Sequence, residues 1–194
     1  MVSMGRVIKS GDTRIKFKDN FHLKNLYYMM HEWLVQEEWV TRTDKDFPEI
    51  WNAQNEAALG GIEAWWTWRP EKLKNKYYKW TLDINTHIIL LRNVEIMKDE
   101  KKLKTNWGEV EVLLRGRVVC DHLKLWEKHP ILKHFEELYS KRIIKHDLTK
   151  QRDELRREVY RLQEAIKDFL GMKKSLQEPE SQGPFFPRGG IGES

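Results

Sequence analysis

The stretch "IEAWWTWRP", residues 62–70, decides the fold. Taken two residues at a time, it places Ala64, Trp66 and Trp68 on one side and Trp65, Thr67 and Arg69 on the other, the pattern of a β-strand with one face against a core. Pro70 has no amide proton for a ladder, so it ends the strand or sets it at a sheet edge. Further on, "YYKWTLDINTHIILLRNVEIM" (77–97) repeats the alternation, with Tyr78, Trp80, Leu82 and Ile84 opposite Lys79, Thr81, Asp83 and Asn85. Strands of this kind pair into an antiparallel sheet with one dry face and one wet face.

Working outward toward the C-terminus, "VEIMKDEKKLKT" (94–105) predicts a hairpin around residues 99–101. "TNWGEVEVLLRGRVVCD" (105–121) predicts a turn at Asn106-Trp107-Gly108, then a strand with Val110, Val112, Leu114, Gly116, Val118 and Cys120 inward. Toward the N-terminus, "RVIK" (6–9) and "TRIKFK" (13–18) flank Ser10-Gly11-Asp12 and predict a short hairpin. Asp19 or Asn20 offers an N-cap to an amphipathic helix that carries Phe21, Leu23, Leu26, Tyr27, Met30, Trp33 and Leu34 and runs to about Trp39. The connection 41–61 holds Pro48 and the Gly60-Gly61 pair, with a short helical turn expected near Trp51.

After the strands the helical period returns. Pro130 suits the first turn of a helix bearing Ile131, Leu132, Phe135, Leu138, Tyr139 and Ile143. Asp147 suits the start of another, bearing Leu148, Leu155, Val159, Leu162, Ile166 and Phe169 and closed by Gly171. The expected fold class is therefore α+β: an antiparallel sheet packed by an N-terminal helix and two C-terminal helices. It forms one domain over residues 1–172, followed by a flexible Pro/Gly/Ser-rich tail, 173–194.

At 194 residues, 40% apolar and 34% charged, the chain has the makeup of a soluble globular protein. The single cysteine, Cys120, forms no internal disulfide, which points to a reducing compartment. The N-terminus lacks the apolar run of a secretion signal, and no stretch reaches the roughly 20 apolar residues that span a bilayer. The expected location is cytoplasmic. Residues 141–174 hold eleven Lys/Arg against six Asp/Glu, which accounts for the whole net charge of +5.

The order strand, helix, antiparallel strands, long helix resembles the helix-grip fold of the START-like and polyketide-cyclase-like superfamily. That resemblance implies a ligand cavity between sheet and C-terminal helix, here lined by Trp66, Trp68, Trp80 and Leu162. "KTNWGEVEV" (104–112) and "WEKHPILKHFEELY" (126–139) are similar to a group of archaeal proteins of comparable length, a resemblance that implies no function.

Signatures of catalysis, metal binding and nucleotide binding do not emerge. His31-Glu32 starts like a zincin motif, but Val35 stands where its second histidine belongs. His129 and His134 are five apart and do not share a helix face. Asp83 and His87 share the wet side of one strand at about 13 Å, too far to act together. Cys120 reads as a buried thiol. Accordingly no catalytic residue, metal or cofactor is expected. What remains is binding: Trp65, turned away from the core, with Arg69 and the cations Lys141, Arg142, Lys145, Lys150, Arg152, Arg156 and Arg157. Rings beside cations fit single-stranded nucleic acid, and the basic helix also fits an acidic protein. Pairs such as Asp153–Arg157, Glu154–Arg157 and Glu158–Arg161 are expected to neutralise part of that helix.

Overall fold

A computed structural model describes residues 7–41, 47–56, 60–98, 101–123 and 145–172. The tryptophan-rich stretch forms β3 (Ile62–Trp68). Around it stand β1 (Val7–Phe21), α1 (Leu23–Gln36), β2 (Glu49–Glu56), β4 (Glu71–Leu73), β5 (Tyr78–Lys98), β6 (Lys101–Cys120) and α2 (Lys145–Phe169). The fold is α+β, with one antiparallel sheet in the order β1-β6-β5-β3-β2 and β4 pairing with β5 beyond the end of β3. Thus β3 is interior, and Pro70 interrupts the line from β3 to β4 instead of marking an edge. Its carbonyl still accepts from Leu82 N at 3.1 Å, and Arg69 N donates to Pro48 O at 2.9 Å.

The dry face holds Trp66, Trp68, Trp80, Leu82, Ile84, Ile88, Val110, Val112, Leu114 and Val118, all buried. Both described helices cover it, α1 through Leu26, Met30 and Leu34, and α2 through Leu155, Val159, Leu162 and Ile166. Rings fill the space between: Tyr27 meets Trp68 edge-on at 4.8 Å, and Trp39 lies 6.4 Å from Trp80. Each large apolar side chain buried this fully contributes about 1.5–3 kcal/mol. At Gly116 of β6, α2 comes so near that an added Cβ would stand 3.0 Å from Val159 Cγ2 and 3.2 Å from Leu155 Cγ. Any side chain there would have to push Val159 and Leu155 aside for the helix to keep its seat.

The predicted turn Ser10-Gly11-Asp12 is instead a β-bulge within one continuous strand, where the register with β6 shifts between Lys9 and Gly11. The bulge turns Ser10 inward as a grip for α2: its Oγ donates to Arg152 O at 2.5 Å, and Arg156 Nε donates to Ser10 O at 2.9 Å. The turn expected at Asn106-Trp107-Gly108 is also absent, since β6 runs straight through. The irregularity falls on its partner β5, where the register shifts between Ile89 and Arg92 and Leu90 takes φ +53.

Residues 49–56, expected as connection with a helical turn at Trp51, form strand β2. An edge strand exposed on both sides shows no alternation to betray it. Asp19 and Asn20 do not cap α1, because β1 continues to Phe21. His22 takes the cap position without a side-chain bond, and Asn106 Oδ1 of β6 accepts from Leu23 N at 3.2 Å. The antiparallel pairing of β5 with β6 extends to Lys98 and Lys101, on either side of the hairpin expected around 99–101, whose residues 99 and 100 lie outside the described ones. Just past the end of α2, Leu170 is buried in place of Phe169, which stands 36% exposed. Gly171, at φ +67, closes the helix: its N–H reaches Asp168 O at 3.1 Å, and Met172 N reaches Lys167 O at 2.9 Å. The helix predicted after Pro130 and the tail 173–194 lie outside the described residues.

Candidate interaction surface on the open sheet face

Because both described helices lie on the dry face, the opposite face of the sheet is open among the described residues. Strand alternation sends Trp65 there, as expected, and register sets it against His87 of β5. The two rings stack at 4.9 Å and 12°. On the other side Trp51 of β2 follows at 6.2 Å, 52% exposed. Three rings from three neighbouring strands therefore form one row. Glu63 holds its inner end, with Oε1 2.7 Å from His87 Nε2.

Around this row two carboxylates each gather two cations. Asp83, buried on β5, accepts from Arg69 Nε at 2.6 Å and from Arg117 Nη1. Glu111 of β6 accepts from Arg14 Nε at 3.0 Å and Lys16 Nζ at 3.4 Å. Each cluster keeps a surplus positive charge, and Arg14, Lys16 and Arg69 are more than half exposed. Lys16, Glu111, His87 and Trp65 occupy one cross-strand row. At about 4.8 Å per strand, Lys16 stands about 14 Å from Trp65.

The expected site residues divide between two sides of the sheet. Trp65 and Arg69 share the open face, whereas Lys150, Arg152, Arg156 and Arg157 belong to α2 on the other. Lys145 opens α2, and Lys141 and Arg142 lie outside the described residues. Arg156 is bonded to the β1 bulge, and Arg152 lies 3.6 Å from Asp153. Of the ion pairs anticipated along α2, Glu158–Arg161 gives way to tertiary ones. Glu158 takes the indole N–H of Trp39 at 2.9 Å and Lys72 Nζ at 3.6 Å, and Arg161 pairs with Glu37. Trp66, Trp68, Trp80 and Leu162 are buried together between sheet and helices. Grooves of about 350, 470 and 690 Å³ are lined by other residues.

Asp83 and His87 are each committed to separate partners, as above, and Cys120 is buried. Among the described residues no three His, Cys, Asp or Glu side chains are grouped to hold a metal, and no helix is long and apolar enough to cross a membrane. Sequence reasoning missed Trp51, Glu63, Arg14, Lys16, Glu111 and Arg117. The alternation of Arg14, Lys16 and Lys18 along β1 was a usable signal, but Trp51 had none without the pairing of β2. No family model, curated protein or solved structure matches the chain.

Proposed function

We propose that this chain is a non-enzymatic binding protein that engages single-stranded nucleic acid on the open face of its sheet. The observation that carries this reading is the Trp51–Trp65–His87 row flanked by the two cation-rich clusters. Bases stack on exposed rings with little regard to sequence, each contact being worth about 1–3 kcal/mol, while cations meet the phosphates. Arg14 and Lys16 lie two residues apart on a strand, about 6.8 Å, a spacing close to that of successive phosphates on an extended single strand. The lone cysteine suits the cytoplasmic setting in which such a partner is met.

Fluorescence anisotropy with a labelled mixed-sequence oligonucleotide tests the reading. Binding is expected at low salt, falling steeply as salt rises, and Trp51→Ala should weaken it by about 1–3 kcal/mol. No binding at low salt, or binding untouched by Trp51→Ala, overturns it. Capture of an acidic protein on the same face, without affinity for oligonucleotides, would make the chain a protein adaptor instead.

A second reading, a small apolar ligand between sheet and α2 as the helix-grip resemblance implies, has one observation in its favour. Trp66 Nε1 and Thr86 Oγ1, on directly paired residues of the dry face, are buried without a hydrogen-bond partner. A bound acceptor group would satisfy the indole. Mass spectrometry of an organic extract of the purified protein decides it: a stoichiometric small molecule supports this reading, and an empty extract removes it.

A further inference from the structure

On the helix side of the sheet, where α1 approaches the start of β2, Tyr27, Tyr28, His31, Phe47 and Glu49 line a groove of about 350 Å³. Its chemistry is narrow: four aromatic rings and one carboxylate. Buried Trp68 supports two of the walls, because Tyr27 and Phe47 each meet it at 4.8 Å and 88°. His31 lies against Phe47 at 4.7 Å, and Tyr28 meets Tyr27 edge-on at 6.3 Å. The carboxylate is also fixed. Glu49 Oε1 accepts from Asn52 Nδ2 at 3.0 Å and lies 3.5 Å from Trp68 Nε1, and neither bond uses Oε2.

The face of an aromatic ring carries partial negative charge and attracts cations, most strongly where water is excluded. The chain's own Lys24 already shows the preference, with Nζ 5.7 Å from the centroid of Tyr28. We propose that this groove binds an alkylated ammonium group. Methyl groups on the nitrogen pack against the rings and weaken its hydration, so it enters an aromatic site at less cost than a bare ammonium, and Glu49 supplies the opposite charge. A free quaternary amine and the methylated side chain of a lysine share this chemistry. The site is independent of the open face and of the reading proposed for it.

The test titrates the full chain with choline and with its neutral isostere 3,3-dimethylbutanol, following the ligand methyl resonances by NMR. Choline is expected to broaden and shift, with the isostere about tenfold weaker. Glu49→Gln keeps an oxygen for Asn52 and Trp68 but removes the charge, so it should weaken choline about tenfold and leave the melting temperature unchanged. Tyr28→Leu, at an exposed position, should also weaken it. A trimethyl-lysine peptide that binds more tightly than choline assigns the site to a modified protein, and one that binds no better assigns it to a free amine. Equal affinity for choline and the isostere, no binding of choline, or a Glu49→Gln variant that binds as well as the wild type overturns the proposal.

Discussion

Glu38 ends α1 in the left-handed region, at φ +57, where a side chain is strained and glycine is not. Its N–H bonds Val35 O at 3.1 Å and Trp39 N bonds Leu34 O at 2.8 Å, a closure that returns Trp39 to the core. Glu38→Gly is therefore expected to raise stability by about 1 kcal/mol, seen as a higher melting temperature, and a fall would show that the strain is compensated locally. At Tyr78, burial and then the Asp147 carboxylate push the phenol pKa above its ordinary 10.0. The folded chain then keeps a proton that the unfolded chain releases, so the contribution of Tyr78 to stability is complete below about pH 10 and is lost as the pH climbs toward the raised value. Denaturation midpoints should fall less steeply above pH 10 in Tyr78→Phe than in the wild type. At this scale the outward turn of Trp65 was legible from local alternation alone. The hold of Asp83 on Arg69 and Arg117 was not, because it depends on which strands lie side by side.

At the scale of elements, α2 is seated on the sheet at the Ser10 bulge and at the bare backbone of Gly116. Gly116→Val pushes directly against Val159 and Leu155, and about 1–3 kcal/mol of stability should be lost in chemical denaturation. An unchanged midpoint would mean that the helix can shift without cost. Glu158 ties the same helix to Trp39 and Lys72, with side-chain exposures of only 15% for Glu158 and 18% for Lys72. Removing it in Glu158→Ala strips the Trp39 indole N–H of its acceptor and leaves Lys72 with the Glu37 carbonyl alone, at 2.8 Å, and should cost about 1–3 kcal/mol. The helices and the central strands β3, β5 and β6 were legible because one face of each is buried and imposes a period. The edge strand β2 and the bulge in β1 were not. The first has no buried face to pattern it, and in the second Ser10-Gly11-Asp12 has turn chemistry that the pairing with β6 overrides.

Over the whole molecule, charge and rings are distributed by the sheet itself. The cation surplus counted along residues 141–174 includes helix residues committed to the β1 bulge and to tertiary ion pairs, while the open face presents its own cations beside a ring row that the core does not use. That separation was beyond the sequence, since Trp65 and the α2 cations look like one patch until the sheet comes between them. The central claim, that the open face is where the chain meets its partner, is tested most directly by ultraviolet crosslinking to a single-stranded oligonucleotide followed by mass spectrometry. Crosslinks are expected on peptides carrying Trp51, Trp65 and His87, and should vanish in Trp51→Ala/Trp65→Ala. Crosslinks confined to α2, around Lys150–Arg157, would contradict the claim.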